Sequence, residues 1–166
     1  MFKQILFATV ALTSTGVMAF TEVPITGNVE SKCVITTDTP GVFGNPVSNI
    51  LSTKSIDGGV EPIVRFDIIE AGSYKAVLSY PIEFTTSPYL NDVVNWTGLV
   101  DIAEVSDTLM NDFDNTKVLY NNVTEYDLTV AGSIWFRSES QADYGYGKSF
   151  PGGIYRAAVS AECIAQ

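Results

Sequence analysis

The sequence predicts an all-β, antiparallel sandwich, and three observations point to it. Apolar residues recur with period two in roughly six to eight stretches. Gly, Pro, Asn and Ser punctuate the gaps between them, and helix signals are nearly absent. No internal repeat or interdomain linker breaks the pattern, so one layered core is expected.

Taken in order, the first stretch is Val23-Pro24-Ile25-Thr26-Gly27-Asn28-Val29, which leads into Cys33-Val34-Ile35. Residues 38–59 read as a loop, because Pro40-Gly41, Gly44-Asn45-Pro46 and Asp57-Gly58-Gly59 are turn signals. Residues 60–69 form the next strand. Ala71-Gly72 predicts a hairpin into residues 74–80, which place Tyr74, Ala76, Leu78 and Tyr80 on one face. Residues 97–105 alternate Leu99, Asp101 and Ala103 against Val100, Ile102 and Glu104. Residues 106–113 allow one or two helical turns, capped by Ser106 or Asp107 and stopped at Asn115.

The longest strand pattern covers residues 126–136. Tyr126, Leu128, Val130, Ile134 and Phe136 share a face, and Gly132 marks a bulge or a close backbone approach. After a loop over residues 139–153 the final strand puts Tyr155, Ala157, Val159, Ala161 and Cys163 on one side.

Residues 1–19 read as a secretory signal peptide. Lys3 is their only charge, residues 5–12 are the apolar run, and Val17-Met18-Ala19 occupies the cleavage positions. That run is too short to span a bilayer, and no later segment reaches about 18 apolar residues. Residues 20–29 then form an extension and residues 30–166 the domain. An even pair of cysteines in an exported chain predicts one disulfide, Cys33 to Cys163, bracketing the domain.

Composition excludes several function classes. Nineteen Asp and Glu against nine Lys and Arg leave a net charge of −10, which disfavours nucleic acid and anionic membranes and suits an extracellular surface. With no histidine, Ser-His-Asp and Cys-His catalysis is excluded, and two thiols cannot complete a tetrahedral metal shell. Asp67, Glu70, Asp101 and Glu104 could supply paired carboxylates, yet each falls on the polar face of a strand. No catalysis, metal or cofactor is expected.

Other motifs are weaker. Asp112-Phe113-Asp114-Asn115 has closely spaced oxygen donors without the order of an EF-hand loop, and reads as a solvated turn. Asn95-Trp96-Thr97 and Asn122-Val123-Thr124 match the glycosylation sequon. Tyr144-Gly145-Tyr146-Gly147, with Trp135, offers either an aromatic sugar platform or loop aromatics packed on the sandwich.

The two bookend strands carry a family resemblance. The opening alternation with central Gly27, followed by Cys33-Val34-Ile35, resembles the N-terminus of chaperone–usher pilus subunits. Ile134-Trp135-Phe136-Arg137, a loop, then Pro151-Gly152-Gly153 with Tyr155 and Val159, is similar to the last two strands of pilins and spore-coat-protein-U-like subunits. The chain departs from type 1 and P-pilus subunits in two respects. Cys33 has only Cys163 as partner, and the C-terminus ends Ala165-Gln166 without a neighbouring aromatic.

The resemblance implies an immunoglobulin-like sandwich that lacks its last strand and is completed by donor-strand exchange. A periplasmic chaperone, and then the extension of the next subunit at an outer-membrane usher, would fill the groove. Val23, Ile25 and Val29 would enter it, with Gly27 at its narrow point, beside a last strand bearing Tyr155, Ala157, Val159 and Ala161. The implied product is a head-to-tail homopolymer on the cell surface, serving adhesion or biofilm. The alternative is a self-contained secreted sandwich that binds a carbohydrate or protein, with residues 21–29 as a strand paired within its own chain.

Overall fold

Ten strands order the described residues of the computed structural model, which are 25–27, 33–70 and 72–166. They are β1 (Cys33–Thr39), β2 (Gly44–Val47), β3 (Ile50–Ser52), β4 (Ile63–Ile68), β5 (Tyr74–Ser79), β6 (Asn95–Val105), β7 (Val118–Tyr120), β8 (Val123–Leu128), β9 (Gly132–Asp143) and β10 (Ser160–Ala165). Met1–Glu30 and Ser31–Gln166 are separate units. Within the first, residues 25–27 have no regular structure, and Ile25 is 98% exposed. The signal-peptide reading of residues 1–19 lies outside the described residues.

Two antiparallel sheets make an all-β sandwich. The larger is organised on β9, which pairs with β6 along nearly all of one side, from Asn95 opposite Asp143 to Val105 opposite Ile134. On its other side the first half of β9 pairs with β4 and the last residues with β3. Beyond these lie β1, on β4, and β2, on β3. The smaller sheet runs β10-β5-β8-β7.

Period-two alternation places the core where the sheets face each other. β4 contributes Phe66 and Ile68, β5 Tyr74, Ala76 and Leu78, β8 Tyr126 and Leu128, and β9 Ile134 and Phe136, all buried. The Phe136 ring lies 5.2 Å from that of Phe66 and 4.7 Å from that of Tyr126. Full burial of such side chains stabilises by roughly 1.5–3 kcal/mol each. Tyr126 is paired as well as buried, since its hydroxyl donates to the Val100 carbonyl at 3.1 Å.

Five local expectations are corrected. The segment around Gly72 is no hairpin, because β4 and β5 belong to different sheets. Both strands bury one apolar face, and facing each other across the core satisfies both at once. Residue 71 itself lies outside the described residues.

The long strand expected over residues 126–136 is two strands for the same reason: β8 and β9 lie in opposite sheets and share the inward parity. Gly132 opens β9 at φ 144°, and a Cβ there would lie 2.7 Å from both Met110 Cε and Ser106 Oγ. It is a close approach rather than a bulge.

The loop expected over residues 38–59 contains the β2–β3 hairpin. Its turn is pinned by Asn45 Nδ2, which donates to the carbonyls of Val47 and Ile50, and Pro46 is tolerated because β2 is an edge. The loop expected from residue 139 begins five residues later, since β9 continues to Asp143. The helical turns reduce to 3-10 turns at Thr108–Met110 and Phe113–Asn115, the first capped by Asp107 Oδ1 accepting from Leu109 N–H. They bury Met110 and Phe113 at one end of the core.

Candidate strand-acceptor groove

Among the described residues β1 pairs only with β4, and β10 only with β5. The two are therefore the adjoining edges of opposite sheets, each with one side of its backbone outside any ladder. Cys33 and Cys163 join them in a disulfide, with Cα atoms 6.4 Å apart, across 130 residues of sequence. In the chain-entropy model a loop of that length contributes roughly 4–5 kcal/mol.

Away from the disulfide the edges part. β1 proceeds toward Thr39 while the last strand is followed backward toward Ala157, and a cleft of about 230 Å³ opens between them. Thr37, Thr39 and Phe43 line one wall and Ala157 and Val159 the other, with Val64 and Ser140 among the residues beneath. It shares Val42, Phe43 and Ala157 with a second hollow of about 480 Å³ bordered by Leu51 and Tyr155. The two form one groove.

Residues of the final strand alternate along this groove as their spacing predicts. Tyr155, Ala157, Val159, Ala161 and Cys163 are half-buried, and Arg156, Ala158, Ser160 and Glu162 between them are exposed. On the facing strand Cys33 and Ile35 are half-buried, and Thr37, of the same parity, is exposed. Inward positions in the sandwich centre are instead fully covered, as at Ala76 and Leu78. Regular β10 starts only at Ser160, but Arg156 exchanges backbone hydrogen bonds with Thr86, which holds residues before β10 extended.

An aromatic cluster fixes the groove's far end. The Phe84 ring lies 5.1 Å from Tyr155, 4.8 Å from Trp96 and 6.1 Å from Phe43, and Phe150 lies 5.3 Å from Tyr155. The Tyr155 hydroxyl donates to the Pro151 carbonyl at 2.7 Å, and burial raises its pKa above the ordinary tyrosine value. Disulfide at one end and aromatics at the other leave a groove whose walls are set in advance.

The floor is unexpectedly polar. Ser140 and Thr53 line it, and Ser138 and Ser52 are buried beside them. Thr53 Oγ1 accepts from the Ser140 N–H at 2.8 Å, and the Thr53 N–H donates to the Ser140 carbonyl at 2.9 Å. The hydroxyls of Ser138 and Ser140 have no partner among the described residues, although both residues are 1% exposed. A signal for these residues is visible in residues 138–143, where Ser138, Ser140 and Ala142 are small while Glu139, Gln141 and Asp143 are large and polar. It is period two written without apolar side chains.

The remaining candidates are placed elsewhere. Ile25 and Gly27 are described, and a Cβ on Gly27 would meet nothing within 4 Å; Val23 and Val29 lie outside the described residues. Asp67 is held by Arg65 at 2.7 Å and by the Ser133 hydroxyl, and Asp101 by Arg137 at 2.7 Å. Asp114 pairs with Lys117 at 2.9 Å in the 113–115 turn. Trp135 and the Tyr144–Gly147 run are not brought together: Trp135 lies under the Arg65 guanidinium, Tyr144 is buried against Phe150, and Tyr146 is exposed. Nine residues of extended strand, roughly 30 Å, separate Trp135 from Tyr144. No family model, curated protein or solved structure matches the chain.

Proposed function

We propose that this chain is a structural subunit of an extracellular filament, assembled head to tail by strand addition. Its residues 20–29 occupy the groove between β1 and the last strand of the next copy. The reading rests on one observation: inward residues of both bordering strands are half-buried or exposed, and the backbone edges beside them are unpaired among the described residues. A seventh-strand gap in an immunoglobulin-like sandwich would have this form, and an extended peptide fills it with main-chain hydrogen bonds and alternate side chains.

The chain's own composition supplies the occupant. Val23, Ile25 and Val29 carry apolar side chains at alternate positions, and the exposure of Ile25 leaves it available. The disulfide lies inside the acceptor and the extension precedes it, so the groove keeps its shape while the segment pairs with another copy. Such contacts do not close on themselves and build a filament. Before assembly the same groove needs a stand-in strand, the role of a periplasmic chaperone, with an outer-membrane usher releasing subunits to the surface.

Deleting residues 20–29 tests the reading, with sizing and electron microscopy as readouts. The full chain is expected to polymerise and the deleted chain to stay monomeric with an unchanged thermal transition. A full chain that never polymerises, together with a truncated one that folds equally well, contradicts it. Gly27→Leu is expected to block assembly and leave the fold intact.

A further inference from the structure

Pairing through residues 20–29 brings two sandwich bodies together, and chain length sets how closely. Three residues, 30–32, lie between that segment and Cys33. From position 29 to Cys33 the chain reaches about 14 Å at full extension. The body that donates the segment is therefore held, by its disulfide end, against whichever end of the acceptor groove the segment leaves. Among the described residues every ladder in both sheets is antiparallel. A strand that extends the smaller sheet in the same sense, beside β10, runs away from Cys163. Position 29 then leaves at the aromatic end.

That end carries apolar side chains in water. Ile82 and Val93, 61% and 75% exposed, line a hollow of about 280 Å³ together with Phe84 and Trp96. Phe84 also packs on Tyr155 of the groove wall, so the hollow continues the groove surface. The disulfide end has exposed apolar residues of its own. Ile68 pairs with both Cys33 and Gly132, and Met110 lies against Gly132. Their neighbours Ile69 and Leu109 are 62% and 70% exposed.

We propose that the hollow bordered by Ile82 and Val93 seats the disulfide end of the next copy, covering its Ile69 and Leu109. The inference rests on the filament reading and adds to it a contact between bodies, separate from the inserted segment. The short tether supplies proximity, and the exposed apolar surface at both ends supplies the reason to stay together. Burial of these side chains occurs only on assembly, so the contact stabilises the filament and not the isolated subunit.

Ile82→Arg and Val93→Arg in the full-length chain test this. Arginine lessens the self-repulsion of a chain of net charge −10, so weaker assembly would not come from added charge. Each variant is expected to keep its thermal transition and to raise the critical concentration for polymerisation, read by sedimentation, about tenfold. Tyr146→Arg, fully exposed and outside the hollow, should leave it unchanged. A fluorescent peptide of residues 20–30 has no body to seat. It should bind Ile82→Arg and Val93→Arg acceptors that also carry Gly27→Leu within about twofold of Gly27→Leu alone. A benzophenone side chain at position 93, in mixed light and heavy chains, should cross-link to residues 66–70 or 107–111 of another copy. Unchanged assembly in both variants, an equal loss in Tyr146→Arg, a matching loss of peptide binding, or cross-links elsewhere overturns the body contact while the filament reading stands. A peptide that binds no acceptor overturns both.

Discussion

The two halves of β9 point the same alternate side chains inward, yet they build different things. In the first half Ile134 and Phe136 are buried among Phe66 and Tyr126, and the interior there is apolar and closed. In the second half Ser138, Ser140 and Ala142 occupy the same parity, and the interior beside them opens into the groove. One strand thus serves as the centre of a core and as the floor of a site. Parity alone sets burial, while side-chain chemistry decides whether the buried space is sealed or left to receive something.

Substitutions along this contrast should separate the halves. Phe136→Ala, in the closed half, is expected to lose about 3–5 kcal/mol in urea unfolding. Replacing Cys33 and Cys163 together by serine comes next, at about 2–4 kcal/mol, below the chain-entropy figure because a real unfolded chain is already compact. That variant should also assemble poorly, since the groove walls are no longer clamped at one end.

A smaller effect belongs to Tyr126, whose hydroxyl bonds Val100. Tyr126→Phe should cost about 1 kcal/mol at neutral pH. Burial raises the pKa of this hydroxyl, with the charges of Asp114 and Asp101 adding to the shift. The folded chain then holds the proton where an unfolded tyrosine releases it. Stability should be intact below about pH 10 and fall as pH rises beyond it, and the phenylalanine variant should lose that part of the slope.

Smallest is Ser140→Ala in the isolated subunit. Because its Oγ has no partner, removal should be neutral or stabilise by up to about 1 kcal/mol, opposite in sign to Phe136→Ala. A loss as large as that at Phe136 would erase the distinction between the halves.

Legibility in the sequence follows the same division. The apolar alternation of residues 63–68, 74–79 and 126–136 reveals core faces, and the spacing of Tyr155 to Cys163 reveals the groove wall. Which sheet each strand joins was not legible there, since a face buried against a neighbour across the core has the same pattern as one folded back in a hairpin. Residues 138–143 escaped because their alternation is small against polar, and Asn45, Pro46 and Gly44 disguised an edge hairpin as a loop. The disulfide was legible from the even pair of cysteines; the polar floor of the groove was not.

The central claim is that residues 20–29 pair with a different copy. A benzophenone side chain placed at position 25, in a mixture of light and isotopically heavy full-length chains, tests it most directly. Irradiation followed by mass spectrometry should give cross-links from position 25 to residues 155–163 that join light to heavy chains. Cross-links to that strand confined to light–light and heavy–heavy pairs would place the segment in its own chain and contradict the account.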